Sequence, residues 1–222
     1  MQQNKAFIKE IFESIQGEGP YIGTNQLFIR FSDCNLHCNY CDTDFKSKLT
    51  EYNKEDLLKE INRYKNVKAI SLTGGEPLMS ADFLVDILPN VKQKVYLETN
   101  GTLVNELKKI IDYVDIIAMD IKIPSATGMP ELFKEHEEFI KVANKKELFL
   151  KVVFNEGITE DEINKTVEIA SKYNLPVVLQ PESRNGSVRN DANTINNIYY
   201  KFINKYENIR LIPQVHKFLN VR

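Results

Sequence analysis

Seven apolar runs rich in Val, Ile, Leu and Phe, with helix-like stretches between them, constrain this 222-residue chain more than any other feature. They fall at residues 27–31, 67–72, 95–98, 116–121, 148–154, 177–180 and 209–212. Several are apolar on both faces, the pattern of parallel strands covered by helices. Leu57, Leu58, Ile61 and Tyr64 recur at i, i+1, i+4 and i+7, one face of a helix. Thr159-Glu160-Asp161-Glu162 predicts a capping box, and Asp191 or Asn193 predicts the cap of a helix running to Tyr206. His136 sits among Glu135, Glu137 and Glu138, which predicts a solvated helix face. Strand and helix in alternation imply βα units with right-handed crossovers. Six strand-to-strand intervals allow about six such units, whereas a closed eight-unit barrel takes about 250 residues. The expected fold is therefore α/β: an incomplete, TIM-like barrel of about six units with parallel strands, preceded by a strand at 6–12. One domain is expected over 1–222, with an extension at 1–26, a closing segment at 208–222 and a loop at 183–193.

Composition removes several functional classes. With 29 Lys+Arg against 31 Asp+Glu the net charge is −2, so no broad cationic field exists to grip nucleic acid. No apolar run approaches the roughly 20 residues that span a bilayer. Met1-Gln2-Gln3-Asn4-Lys5 lacks the apolar core of a signal peptide, so a cytoplasmic location is expected, with no membrane partner. The three cysteines, Cys34, Cys38 and Cys41, fall within eight residues. A disulfide framework needs an even number spread along the chain, whereas this cluster suits ligands converging on one centre.

That cluster is C-x3-C-x2-C, just beyond the first long strand, and the carboxyl ends of parallel strands are where sites form. Three thiolates can hold three irons of a [4Fe–4S] cluster and leave the fourth open. Zinc with His37 as fourth ligand is the main rival, and three unligated core cysteines are the bland alternative. Thr73-Gly74-Gly75-Glu76-Pro77 follows the second strand; its glycines permit close backbone approach and its carboxylate suits an ammonium group, although a plain βα turn reads the same way. Thr99 and Asn100 close the third strand, where a strand-to-helix turn is the simpler reading. Gln16 and Glu18, on a glycine-rich bend, can offer donors and acceptors to the edge of a heterocycle, or simply face solvent.

The cysteine spacing, with Tyr40 just before the last thiol, resembles the radical S-adenosylmethionine (SAM) superfamily, and Gly-Gly-Glu-Pro one strand later supports this. The chain also carries Gln16-Gly17-Glu18-Gly19, Arg30, Cys41-Asp42-Thr43, Asp120-Ile121-Lys122, Gln180-Pro181 and Gln214-Val215-His216-Lys217. With these it resembles, over nearly its whole length, the 7-carboxy-7-deazaguanine synthase family of the queuosine and deazapurine pathway. The resemblance implies a carbon–nitrogen lyase that converts 6-carboxy-5,6,7,8-tetrahydropterin to 7-carboxy-7-deazaguanine with loss of ammonia. A 5′-deoxyadenosyl radical takes the C6 hydrogen, the ring contracts, and the hydrogen returns to regenerate SAM.

Roles carried over by this resemblance are expectations. Cys34, Cys38 and Cys41 would hold the [4Fe–4S] cluster, and Thr43 a Mg2+ ion, which needs few protein ligands. Tyr40, Cys41, Asp42, Gly74, Gly75, Glu76, Thr99, Asn100, Asp120, Ile121, Lys122, Gln180, Pro181 and Glu182 would face SAM. Ile15, Gln16, Gly17, Glu18, Arg30, Thr73, Gln214, His216 and the carboxylate of Arg222 would face the pterin. Arg30 and Lys122 read equally as strand-end surface charges, and Thr43 as a turn residue. The resemblance also implies an external electron donor such as flavodoxin or ferredoxin, and a homodimer. Two alternatives stand beside it: a glycyl-radical-enzyme activase, and a zinc-binding structural module.

Overall fold

The chain opens with an antiparallel hairpin of β1 (Ala6–Ile15) and β2 (Asn25–Phe31), and β3 (Thr50–Tyr52) pairs antiparallel with the start of β1. The computed structural model describes residues 5–41, 49–184 and 186–221. After β2 come β4 (Ala69–Gly74), β5 (Lys94–Thr99), β6 (Ile116–Asp120), β7 (Glu147–Phe154) and β8 (Val177–Pro181), all parallel. A short hairpin, β9 (Ser183–Arg184) with β10 (Ser187–Val188), precedes β11 (Ile209–Leu211), which joins β8 in parallel. The order β11-β8-β7-β6-β5-β4-β2-β1-β3 leaves two edges, so the described sheet is an open, partial barrel. Six parallel pairings join β2 to β11, as the spacing of apolar runs predicts.

Helices cover the outer face: α1 (Lys54–Ile61), α2 (Ala81–Ile87), α3 (Val104–Ile110), α4 (Pro124–Thr127), α5 (Phe133–Ala143), α6 (Glu160–Tyr173) and α7 (Ala192–Ile203), with α8 (Val215–Leu219) following β11. The capping box forms as predicted, with Thr159 Oγ1 accepting from Glu162 N at 3.2 Å and Glu162 Oε2 accepting from Thr159 N at 2.8 Å. Asp191 caps α7 by accepting from Asn193 N and Thr194 N, and the helix ends at Ile203, short of Tyr206. The 183–193 region, expected to be a loop, contains the β9–β10 hairpin instead. Strands of two or three residues carry too little periodicity to be read from sequence.

Alternation along each strand sorts the molecule into two faces. Leu148, Leu150, Val152 and Phe154 of β7 join the main core beneath the helices, as do Val95 and Leu97 of β5 and Ile117 and Met119 of β6. Each such side chain contributes about 1.5–3 kcal/mol by burial. The intervening residues point inward. Near the amino ends of the strands Ala69, Tyr96, Ile116, Ala118, Phe149 and Val178 pack into a second, smaller core. Toward the carboxyl ends the inward positions turn polar: Arg30, Thr73, Glu98, Asp120, Lys151 and Gln180.

His136 departs from its expected solvated face, being 0% exposed. It lies three residues after Phe133 and four before Ile140, on the buried stripe of α5, while its acidic neighbours in sequence point elsewhere around the helix. Its Nε2 lies 3.2 Å from the carbonyl oxygen of Asn100, and burial lowers the imidazole to about 4.

Candidate active site

The polar inward positions border a cavity of about 220 Å³ at the carboxyl ends of the strands. One wall carries the cysteine loop and the ends of β4 to β6. The opposite wall is made from the bend after β1, the middle of β7 and the segment after β11.

The cysteine-bearing wall is laced by backbone. Gly75 N donates to Phe31 O at 3.0 Å and Glu76 N to Asp33 O at 2.6 Å, tying the Gly-Gly-Glu-Pro segment to the residues just ahead of Cys34. A Cβ on Gly75 would meet Asp33 O at 2.0 Å, and Gly74 has φ +111, so both positions exclude side chains. Glu76, 1% exposed, turns from the cavity and anchors the next strand end: its carboxylate accepts from Thr99 Oγ1 (2.9 Å), Asn100 N (2.7 Å) and Leu78 N (3.1 Å). Burial pushes this carboxyl up to about 7, against the pull of those donors. Asn100 in turn donates to Asn35 Oδ1 at 2.8 Å and lies 4.0 Å from Cys34 Sγ. Glu76 thus acts on the cysteine loop through Asn100, whereas Gly74, Gly75, Thr99 and Asn100 border the cavity themselves.

Cys34, Cys38 and Cys41 all border that cavity as free thiols, and burial pushes Cys34 and Cys38 up. Exposed His37 does not border this cavity but a second, surface pocket with Asp33, Cys34, Leu36 and Met79. Tyr40 stands against Lys122, whose Nζ reaches its hydroxyl at 3.1 Å and lies 5.3 Å from its ring centroid. Lys122 Nζ also holds Asp120 Oδ2 at 2.7 Å. Asp120, Lys122, Gln180 and Glu182 line the cavity, and the buried Oε1 of Gln180 has no hydrogen-bond partner among the described residues. Ile121 and Pro181 do not line it. Strand alternation turns Ile121 toward the main core and sets Pro181 on the face opposite Gln180.

The second wall joins the two ends of the chain. Gln16 is 2% exposed and its amide is used on both sides, donating to Glu98 Oε1 (2.9 Å) and accepting from Glu18 N (3.0 Å). Glu98 also accepts from Thr73 Oγ1 at 2.9 Å. Val215 N donates to Gly17 O at 2.9 Å, and Gln214 Nε2 donates to Glu18 Oε1 at 2.7 Å. A Cβ on Gly17 would lie 2.3 Å from His216 Nδ1, so only glycine lets the imidazole pack against the bend. Glu18 Oε2 meets Lys151 Nζ at 2.5 Å, and Lys151 reaches Asp120 Oδ1 at 3.2 Å. Against burial, Lys151 and Gln214 hold the Glu18 carboxyl down at about 2. Arg30 borders the cavity with its Nε bound to Glu10 at 2.8 Å and its guanidinium 5.8 Å from the Phe12 ring centroid. Ile15 also borders the cavity.

The structure therefore gathers most of the predicted residues around one space. It adds Glu98 and Lys151, which the sequence reading passed over. Their signal was a charge in the middle or at the end of an otherwise apolar strand. Asp42, Thr43 and Arg222 lie outside the described residues.

Comparison with known proteins gives a consistent outcome. Residues 28–180 match the model of the radical SAM superfamily. A 7-carboxy-7-deazaguanine synthase of Geobacter sulfurreducens is 34% identical over 99% of this chain and 99% of its own. One from Archaeoglobus fulgidus is 35% identical over 98% of this chain and 100% of its own. The crystal structure of QueE from Escherichia coli superposes with a TM-score of 0.65 at 22% identity, covering 96% of this chain and 95% of that one, and so shares the fold.

The superfamily implies a [4Fe–4S] cluster and SAM, and the donors present fit them. Among the described residues no three His, Cys, Asp or Glu side chains converge on the position of a single metal ion. A [4Fe–4S] cluster takes one thiolate per iron, so its ligands surround a volume instead of a point. Three free thiols bordering one cavity, together with a buried Gln180 amide oxygen that has no partner among the described residues, suit such a cluster and a polar ligand beside it. The chain belongs to the radical SAM superfamily and, within it, to the 7-carboxy-7-deazaguanine synthase family.

Proposed function

We propose that this chain converts 6-carboxy-5,6,7,8-tetrahydropterin to 7-carboxy-7-deazaguanine with loss of ammonia, as a carbon–nitrogen lyase. The observation that carries the reading is the joint between Gly17 and His216, which puts the family's two terminal motifs on one wall, facing three cysteines. A glycyl-radical-enzyme activase or a zinc module has no use for that wall.

When bound, the cluster and SAM supply the 5′-deoxyadenosyl radical that opens the reaction. Cys34, Cys38 and Cys41 hold the cluster, and Asp120, Lys122, Tyr40, Gln180 and Glu182 surround the SAM position. Glu18, kept ionised by Lys151, accepts from the amide and amino donors of the pterin. Each carboxylate oxygen retains a second lone pair beyond its protein bond. Gln16, fixed by Glu98, and His216, fixed against Gly17, complete the contact with the ring. With Nε held by Glu10, Arg30 offers the substrate carboxylate the end of its guanidinium. Thr43 would hold a Mg2+ ion, which would supply positive charge to the substrate's oxygens. The enzyme works in the cytoplasm as a homodimer and draws its electron from an external flavodoxin or ferredoxin.

The test is anaerobic reconstitution with iron and sulfide, followed by incubation with SAM, a reductant and the carboxypterin, with and without magnesium. The expected result is a coloured protein and Mg2+-stimulated formation of the deazaguanine. A coloured protein that forms no such product overturns the reading.

A further inference from the structure

Lys151 is the least expected side chain in the cavity wall. It sits at the middle of β7, between Leu150 and Val152 of the main core, and is only 8% exposed. A buried ammonium persists only where carboxylates surround it. Here two do, from different segments: Glu18 Oε2, on the bend after β1, at 2.5 Å, and Asp120 Oδ1 of β6 at 3.2 Å from the register position directly opposite.

These partners belong to different halves of the site. Glu18 faces the pterin position, with its other oxygen held by Gln214 Nε2 at 2.7 Å. Asp120 leads to the cysteine loop, because its Oδ2 holds Lys122 Nζ, which reaches the Tyr40 hydroxyl beside Cys41. Charges alternate along Glu18, Lys151, Asp120 and Lys122, so each of these largely covered groups is compensated by its neighbours. Against burial, Lys151 and Gln214 hold the Glu18 carboxyl down, and their two hydrogen bonds fix its direction.

We propose that Lys151 is a positioning residue for substrate: acting through Glu18, it holds that carboxylate charged and aimed at the donor edge of the bound pterin. The inference rests on the function proposed above and deepens it. An ionised, fixed acceptor selects for a ring edge carrying two adjacent N–H donors, as a pterin amide and its amino group do, and against a ring presenting an acceptor there.

A double-mutant cycle tests this on the reconstituted full chain, with pterin affinity read by quenching of ligand fluorescence and with steady-state kinetics. Lys151→Met keeps the stem and removes the charge. It is expected to weaken pterin binding and raise KM by about 10- to 100-fold, the worth of a charge-assisted hydrogen bond, with a smaller effect on kcat. Lys151→Arg is expected to recover part of the affinity. In the Glu18→Gln background, where no carboxylate needs a cation, Lys151→Met is expected to cost less than about threefold. Visible absorption of the cluster and circular dichroism identify any variant that has merely failed to fold, and the Arg variant then takes the place of Met in the cycle with Glu18→Gln. Additive effects in the cycle, or an unchanged KM in folded Lys151→Met, overturn the role given to Lys151. A wild-type chain that binds no pterin overturns the proposed function, and this inference with it.

Discussion

The two walls of the cavity each centre on a covered glutamate, and the two are held in opposite ways. Glu76, on the cysteine side, is surrounded by neutral donors from Thr99, Asn100 and Leu78, and burial pushes it up to about 7. Glu18, across the cavity, meets an ammonium and an amide and is held down at about 2. Neutral hydrogen bonds suit a carboxylate that only has to fix its neighbours. An ion pair suits one that must present charge to a ligand. Under the function proposed above, the cysteine wall would serve as a scaffold for loops that carry the cofactor, and the other wall would be the surface that recognises substrate.

The largest test of this contrast removes a ligand from the first wall. Cys38→Ala is expected to abolish both visible colour after reconstitution and product formation, while pterin binding, measured by fluorescence, stays within about threefold of wild type. Loss of pterin binding to the same degree as colour would show that the walls are not separable. Gly17→Ala does the converse. Its new Cβ has only 2.3 Å to His216 Nδ1, so the joint must open. KM is expected to rise by at least about tenfold, the cost of displacing one polar contact, with the cluster spectrum unchanged. A KM within error of wild type would break the assignment of this joint to substrate.

The smallest effects lie in the pH dependence of stability for the metal-free chain. In the folded state Glu76 keeps its proton to about pH 7, against 4.5 ordinarily. Its contribution is therefore greatest below 4.5 and declines as pH rises from 4.5 to about 7. Glu18, lowered to about 2, contributes fully above 4.5 and loses that contribution as pH falls toward 2. In thermal melts, Glu76→Gln is expected to flatten the profile between pH 4.5 and 7, and Glu18→Gln to flatten it below 4.5. Profiles parallel to wild type in both windows would show that the two carboxyls are not held differently.

Much of this was legible in the residues themselves. The seven parallel strands announce themselves because each is a run of Val, Ile, Leu and Phe, and the cysteine loop because its spacing is rare. What stayed hidden was orientation. His136 looks solvated beside three glutamates until the phase of α5 places it on the stripe of Phe133, Ile140 and Ala143. Ile121 and Pro181 sit in motifs whose alternate members, Asp120, Lys122, Gln180 and Glu182, line the cavity, so a motif read as a block overcounts by its outward-facing residues. Lys151 and Glu98 were missed for the converse reason: each is a charge within an apolar run, on a face that also carries Phe149 and Val153 or Tyr96. Glu76 illustrates a third limit. Its residue type suits an ammonium ligand, but its direction depends on where Thr99 and Asn100 arrive, more than twenty residues later.

The joint between Gly17 and His216 also bears on how the molecule assembles. The hydrogen bond from Gln214 to Glu18 spans 196 positions, so closing it costs more chain entropy than any neighbouring-strand contact. The side-chain contacts that lace the cysteine wall close shorter spans, 82 positions between Tyr40 and Lys122 and 65 between Asn35 and Asn100. Closing the second wall is therefore the costlier step in chain entropy, and the selectivity proposed for the enzyme rests on a contact between the two ends of the described chain.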